Sequence, residues 1–184
     1  MSRIAPLQPP YPEEAATLLA AMMPPGVPPI ALFRLFARNL PMARATHGWG
    51  RYELGRDLTL TMRQREIVID RTCARCGCEY EWSVHVQMFG ARVALTPDQQ
   101  RSLADGSATD ACWTDDTERL LIEAVDALHD TSDIDDGLWA RLAKSFDEPQ
   151  LIDLLLLCGW YHAISFVARA TRLPLESKPE ASAA

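Results

Sequence analysis

The sequence predicts an all-α protein that forms a single domain of about eight helices. Apolar residues recur every three or four positions through most of the chain, which is the periodicity of helices that bury one face. Stretches in which apolar and polar residues alternate are few and short, so no strand is expected. The length of 184 residues, with 48% hydrophobic and 23% charged residues, fits one globular domain with a core of its own.

The first part of the chain predicts an extended arm and three helices separated by proline-rich loops. Residues 1–12 are rich in proline and lack periodicity, so they are expected to lie extended over the surface. The helical domain is expected to span residues 13–172. Acids in its first turn, at Glu13 and Glu14, mark the start of the first helix. The three predicted helices run from residue 13 to 23, from 30 to 38, and from 41 to 54.

The middle of the chain predicts two helices that meet at Gly77. The fourth helix is predicted over residues 58–76, with Leu60 or Thr61 near its start. Glycine commonly follows the last turn of a helix, so Gly77 is expected to end it. A fifth helix is predicted from Cys78 to about Phe89. Thr96 followed by Pro97 then starts a short helix through Ala104, because threonine is a good N-cap and proline suits the first helical position.

The last part of the chain predicts three further helices, over residues 117–129, 138–146 and 150–171. The last of these is so long and apolar that it is expected at the centre of the core. Residues 173–184, rich in Pro, Ser, Glu and Ala, are expected to form a disordered tail.

Composition argues against several classes of partner. Eighteen Lys and Arg against twenty-five Asp and Glu give a net charge of -7, without the basic surface that nucleic acid or an anionic membrane requires. The longest apolar run, Leu151 to Trp160, is interrupted by Asp153 and is shorter than the roughly 20 residues of a membrane span. Prolines and acids replace the apolar part of a secretory signal, and five cysteines without regular spacing fit reduced thiols, so a cytoplasmic protein is expected.

The stretch Glu66 to His85, EIVIDRTCARCGCEYEWSVH, carries the residues best suited to catalysis. Each residue of a helix advances by roughly 100°, so Cys78, Glu81 and His85 share one face of the fifth helix. Glu81 lies one turn before His85, where a carboxylate can orient an imidazole and raise its basicity. Glu66 points along the apolar stripe of the preceding helix, and a buried acid must be paired, protonated or catalytic. If these two helices pack together, Glu66, Glu81 and His85 form an acid–base cluster with a thiol beside it.

These residues resemble a known family. A glutamate, eleven further residues and then CEYEWSVH, with the spacing C-x-x-E-x-x-x-H, are similar to the carboxymuconolactone decarboxylase and alkylhydroperoxidase D superfamily. The segment FRLFARNLPMA and the long last helix also lie where that superfamily places them, so the resemblance covers most of residues 30–172. It implies an all-helical protomer that forms homo-oligomers, such as dimers, trimers or hexamers, with active sites near subunit contacts.

The resemblance also implies a choice between two chemistries. Hydroperoxidase members carry a second cysteine where this chain has Glu81, which brings the chain nearer the decarboxylase-like branch. That branch implies cofactor-free acid–base chemistry on a small oxygenated substrate, with a carboxylate or lactone group. His85 is then the general base or acid, Glu81 orients it, Glu66 completes the proton relay and Cys78 lines the pocket. Tyr80 and Trp82 are interpreted as core or pocket wall, and Tyr80 is the better candidate for a relay.

Two alternatives stay open. The first is a thiol peroxidase in which Cys78 works with Cys76 or Cys73, although Cys73 and Cys76, three residues apart in a regular helix, are awkward to bridge. The second is a non-catalytic helical oligomer, acting as a binding or scaffold module, in which the cluster only ties two helices together.

No cofactor and no metal site are predicted. Only His85 lies near the cysteines in the sequence, and no second ligand pair has the spacing typical of zinc sites. Four further residues of suitable chemistry are interpreted as packing residues: Cys112, Cys158, Tyr161 and His162.

Overall fold

The computed structural model describes residues 2–176, and within them the chain forms nine α-helices and no strand. The all-α prediction of about eight helices is therefore confirmed, and each helix observed corresponds to one of the predicted segments. The helices are α1 (Glu13–Ala21), α2 (Ala31–Phe36), α3 (Leu40–Glu53), α4 (Met62–Arg75), α5 (Glu79–His85), α6 (Pro97–Asp105), α7 (Asp116–Thr131), α8 (Asp136–Ser145) and α9 (Glu148–Thr171). A turn of π-helix, Val86–Gly90, directly follows α5.

Local sequence signals set the ends of the helices around the site. Thr61 and Thr96 both form capping boxes, in which the side chain accepts a hydrogen bond from the third helical residue and that residue returns one. Because Thr61 caps α4, the helix starts at Met62 and residues 58–61 precede it. Gly77 ends α4 with φ of +62°, a left-handed conformation that glycine adopts without strain.

The centre of the molecule is α4, which packs against α5, α6, α7 and α9. Every residue from Arg65 to Cys73 is buried, so α4 has no solvent face over two turns. This run includes four ionisable side chains, and each of them must be either paired or held neutral inside the protein. The sequence predicted that the last helix would be central; α9 does line the core, but α4 is surrounded on more sides.

Within residues 2–176, α9 is the one helix long and apolar enough to cross a membrane by length and composition. More than half of its most apolar window is buried inside the fold, 56%, as expected for the core helix of a globular protein. Three large apolar side chains of α9 remain exposed: Ile152, Leu156 and Phe166.

The segment after α9 packs against the fold as far as residue 176. Leu173 is buried, and the Glu176 carboxylate accepts hydrogen bonds from the backbone N–H of Ala31, at 2.6 Å, and from the Tyr80 hydroxyl. The remainder of the tail that the sequence predicted to be disordered, residues 177–184, lies outside the described residues. Residues 2–12 contain no helix, and the backbone N–H of Arg3 donates to the carbonyl of Thr171 at 2.8 Å.

Candidate acid–base site

The turn at Gly77 brings α5 back against α4 and places His85 beside Glu66. His85 Nδ1 lies 2.8 Å from Glu66 Oε2. A carboxylate can only accept, so Nδ1 carries the proton and Nε2 is left as an acceptor. The Tyr161 hydroxyl of α9 lies 3.0 Å from His85 Nε2 and donates to it when the imidazole is neutral. The imidazole is therefore fixed at both nitrogens, in one tautomer.

Arg65 neutralises the second oxygen of Glu66. Its Nε donates to Glu66 Oε1 at 2.7 Å, and its guanidinium also reaches the carbonyl of Leu54 and lies over the Phe89 ring, 5.1 Å from the centroid. Both members of this ion pair are almost completely buried. The charge of the Glu66 carboxylate that holds His85 is thus balanced by Arg65. Removing either Arg65 or Glu66 would leave the other as an unpaired buried charge.

Glu81 is the acid closest to the free edge of His85. Its Oε2 lies 3.9 Å from His85 Nε2, too far for a hydrogen bond, and its Oε1 is buried without a partner among the described residues. Burial raises the pKa of Glu81 to about 7, with a contribution from Glu176, while His85 opposes the rise. At neutral pH this carboxyl therefore exchanges a proton readily. The hydrogen bond that orients His85 comes from Glu66, whereas the sequence assigned that role to Glu81.

Asp70 is a further buried acid that the sequence analysis did not single out. It lies one turn after Glu66 on α4, is fully buried, and neither carboxylate oxygen has a hydrogen-bond partner among the described residues. Burial raises its pKa to about 8; Glu66 adds to the rise and His85 opposes it. Asp70 is thus mostly neutral at pH 7. The sequence could have revealed Asp70 by its position, because it lies four residues after Glu66 and therefore on the same apolar stripe of α4.

The acids around His85 favour its protonated form. Burial lowers the pKa of His85, but the hydrogen bond and charge of Glu66, together with the charges of Glu81 and Asp70, outweigh burial and raise it. A buried imidazole that gains a proton easily, beside two carboxyl groups that titrate near neutrality, is suited to moving protons.

A cavity of about 380 Å³ opens beside this cluster. His85, Glu81 and Tyr161 form its polar end, and Glu66 lies behind His85 and does not line it. His47 and the exposed Arg51, both on α3, lie among the residues that line the cavity. Its remaining walls are mostly apolar or aromatic and include Met22, Leu32, Phe33, Phe36, Val84, Met88, Phe89, Trp160 and Ile164.

The π-helical turn after His85 shapes one wall of the cavity. Met88 and Phe89 both lie on it and line the cavity, and the Phe89 ring packs against the imidazole with 5.4 Å between centroids. Single π-helical turns inside α-helices are rare and are frequent at functional sites. Here the turn directly follows the histidine that the site is built around.

The cysteines that first mark this stretch lie in the core. All five cysteines of the chain are free thiols. Cys73, Cys76 and Cys78 are buried and none of them lines the cavity, although the sequence expected Cys78 there. Burial raises the pKa of each of the three thiols, which disfavours the reactive thiolate.

Tyr80 and Trp82 also lie outside the cavity lining. The Tyr80 hydroxyl accepts from the backbone N–H of Leu32 at 3.1 Å and donates to Glu176, so it connects α5 to α2 and to the segment after α9. Trp82 is half-buried, and its Nε1 has no partner among the described residues. The relay position that the sequence offered to Tyr80 is occupied by Tyr161, a residue interpreted from the sequence as packing.

Comparison with known proteins gives matches in structure. No protein-family model matches the chain, and no curated protein matches its sequence. It is similar to a peroxidase-related protein from Silicibacter sp. TM1040, with a TM-score of 0.79 and 16% identity over 95% of this chain and 93% of that one. A peroxidase-related alkylhydroperoxidase AhpD core protein from Ralstonia eutropha JMP134 matches with a TM-score of 0.73 and 16% identity, over 95% and 93%.

A third match is the debrominase Bmp8, in a variant bound to 2,3,4-tribromopyrrole, with a TM-score of 0.72 and 16% identity over 96% of this chain and 93% of that one. These similarities cover nearly the whole of each chain and agree with the all-helical architecture that the sequence resemblance implied. The protein therefore has the alkylhydroperoxidase D-like fold.

Proposed function

We propose that the protein is an enzyme that performs cofactor-free acid–base chemistry, decarboxylation or a related proton transfer, on a small oxygenated substrate that carries a carboxylate or lactone group. The observation that supports this most is the environment of His85. Its Nδ1 is anchored by Glu66 at 2.8 Å, and its other edge meets Tyr161 and Glu81 at the polar end of a cavity. An oriented base at the wall of a cavity is what general acid–base catalysis requires.

In this proposal the cluster supplies and removes protons at one carbon of the substrate. Loss of CO₂ leaves an electron pair on that carbon, delocalised as an enolate, and one proton must then be added. Protonated His85 or protonated Glu81 delivers it and is recharged from solvent. The Tyr161 hydroxyl, which lies 3.0 Å from His85 Nε2 in the free protein, can turn to the enolate oxygen and stabilise its charge.

The cavity supports a small, largely apolar substrate with one acidic group. Aromatic side chains, among them Phe33, Phe36 and Trp160, form much of the wall, which suits a planar or unsaturated ring. The guanidinium of Arg51 is exposed beside the cavity and can pair with a carboxylate. Bmp8, which shares the fold, binds a small aromatic ring, and this supports the same size class here.

A substrate screen tests the proposal. Small lactone acids and unsaturated carboxylic acids are incubated with the protein in D₂O, and CO₂ release and deuterium incorporation at carbon are followed by NMR. We expect a member of this set to turn over, and His85→Asn to lower kcat by roughly 10²- to 10⁴-fold. Glu53→Gln is the matched control, because Glu53 is also a buried glutamate but does not line the cavity. Full turnover by His85→Asn would refute the assignment.

A second candidate function is a thiol peroxidase that uses Cys78 with Cys76 or Cys73. The peroxidase-related proteins of the same fold favour it. It predicts that stoichiometric peroxide removes two thiols and that a dithiol reductant restores them. The burial and raised pKa of these thiols weigh against it, and we expect Cys73, Cys76 and Cys78 all to remain as thiols after a stoichiometric dose.

The non-catalytic alternative has less support. A scaffold module does not need a cavity beside Glu66 and His85, whereas a cavity of about 380 Å³ lies against His85.

A further inference from the structure

A second cluster of titratable side chains lies apart from the cavity, where the ends of α4 and α7 meet the middle of α9. Cys76 is the C-cap of α4, His129 lies in the last turn of α7 and His162 lies in α9. His129 Nδ1 is 3.1 Å from His162 Nε2 and 4.0 Å from Cys76 Sγ. The three ligand atoms all lie within 4.8 Å of one another, and none of the three residues lines the cavity.

The two imidazoles of this cluster face each other through one ring nitrogen each. His162 Nδ1 lies 2.9 Å from the carbonyl oxygen of Cys158, which can only accept, so Nδ1 carries the proton and Nε2 presents its lone pair. His129 Nδ1 faces this nitrogen at 3.1 Å, so the two imidazoles direct one ring nitrogen each toward the same point. A backbone carbonyl that fixes the tautomer is the usual outer support of a metal-bound histidine.

We propose that Cys76, His129 and His162 bind one Zn²⁺ ion, with water as the fourth ligand. One thiolate and two imidazoles with an open position form a donor set that zinc accepts. With zinc–nitrogen bonds of about 2.0–2.1 Å and a zinc–sulfur bond of about 2.3 Å, tetrahedral ligands stand about 3.3–3.6 Å apart. The separations of 3.1 and 4.0 Å lie on either side of these values, and the third, between Cys76 and His162, is at most 4.8 Å. Side-chain rotations that move the ligand atoms by about 1 Å or less complete the site.

The surroundings accommodate the added charge. When the ion binds, the Cys76 thiol releases its proton to solvent and a sulfur–zinc bond forms, which lowers the net charge added to the site by one. Cys76 and His129 both lie at helix C-termini, where the helix dipole favours a cation. Arg75 also lies near His129, but Asp126, at 3.5 Å, and Asp130 pair with its guanidinium.

A bound ion would join three helices at the junction that leads into the acid–base site. Cys76 directly precedes Gly77, and the turn at Gly77 sets how α5 returns to α4. Arg169 of α9 already holds this turn by donating to the carbonyl of Cys76 at 2.6 Å. Zinc bound to the Cys76 sulfur would therefore hold the same turn through the Cys76 side chain, while Arg169 holds it through the backbone carbonyl.

Cobalt substitution tests the site without any substrate. The full chain, free of a histidine tag, is stripped with a chelator and titrated with Co²⁺. We expect one equivalent to bind and to give a thiolate-to-cobalt charge-transfer band in the near ultraviolet, with the strong visible bands of four-coordinate cobalt. His162→Ala should weaken Co²⁺ binding by at least about 100-fold, and Cys76→Ser should remove the charge-transfer band. Cys112→Ser is the matched control and should leave the spectrum unchanged.

Wild-type protein alone also decides the matter if the variants fail to fold. One equivalent of Zn²⁺ should abolish the cobalt spectrum and raise the melting temperature, because an ion that binds only the folded state stabilises it. Absence of the cobalt bands in the wild-type protein, or a spectrum that persists in Cys76→Ser, would overturn the proposal. Because none of these readouts involves turnover, they are independent of the function proposed for His85.

Discussion

At the scale of single residues, the behaviour of His85 depends on what each ring nitrogen meets. Glu66 accepts from Nδ1, so Nε2, on the side of Tyr161 and Glu81, is the nitrogen that gains and loses the proton. This is the arrangement by which a buried carboxylate holds a catalytic histidine in one tautomer. The charge of Glu66 also raises the pKa of His85, so one residue both orients the imidazole and increases its basicity.

Glu66→Gln should remove the effects of Glu66 on the tautomer and pKa of His85 while the imidazole itself stays in place. An amide NH₂ can donate to Nδ1 and select the other tautomer, and the neutral side chain no longer raises the pKa of His85. We expect kcat to fall by roughly 10²- to 10⁴-fold and the basic limb that reports His85 to move to lower pH. The measurement is the pH profile of kcat with Glu53→Gln as control. A profile that stays in place would show that Glu66 does not tune His85.

Asp70 predicts how stability depends on pH. Its pKa is raised from 3.8 in the unfolded chain to about 8 in the fold, so the folded state holds its proton more tightly. Its contribution is fully present below the unfolded pKa and is lost as pH rises through the folded pKa. Between pH 5 and pH 8 the wild-type protein should therefore lose stability that Asp70→Asn retains, by roughly 2–4 kcal/mol.

Urea unfolding of both proteins at pH 5 and pH 8 measures this difference. Glu81 acts with the same sign between its unfolded pKa of 4.5 and about 7, and it is present in both proteins. The comparison therefore isolates Asp70 together with its coupling to His85. Equal pH dependence in Asp70→Asn and wild type would contradict the buried, unpaired state of this carboxyl.

At the scale of elements, the α4–α5 junction could be predicted and the contribution of α9 could not. The glycine at 77 and the apolar stripe of α4 are local signals, and they predicted that Glu66 and His85 would meet if the two helices packed together. Tyr161 lies 76 residues after His85, and which face of α9 it occupies in the fold depends on packing between distant helices. The same holds for His129, 53 residues after Cys76, so the metal cluster had no spacing to reveal it.

Gly77 gives a direct test of the junction. Its φ of +62° is costly for any residue with a Cβ, and that Cβ would stand 3.5 Å from the Arg169 guanidinium carbon. We expect Gly77→Ala to lower the free energy of unfolding by about 1–2 kcal/mol. Gly48→Ala in α3 is the matched control, because a Cβ there meets nothing within 4 Å and alanine favours helix, so its stability should rise slightly.

At the scale of the whole molecule, we propose that the protein forms a homo-oligomer, as the sequence resemblance implies. The exposed face of α9 supports a second copy as the partner, because Ile152 and Leu156 lie one turn apart on it and are 57% and 46% exposed.

Light scattering after size exclusion measures the mass. We expect a multiple of 20.5 kDa for the wild type and a reduced mass for the double variant Ile152→Glu and Leu156→Glu. Val27→Glu, an equally exposed apolar residue outside α9, should keep the wild-type mass. A monomeric wild type would contradict the proposal.

The central claim is that the chemistry resides in the acid–base cluster and not in the thiols, and one comparison tests it most directly. Turnover of the same carboxylated substrate is measured by NMR for the wild type, His85→Asn and Cys78→Ser. The claim predicts a loss of roughly 10²-fold or more for His85→Asn. Cys78→Ser, which changes a buried thiol outside the cavity, should retain kcat within about threefold, since it removes no group that the proton transfer uses. Loss of turnover in Cys78→Ser with activity preserved in His85→Asn would contradict it.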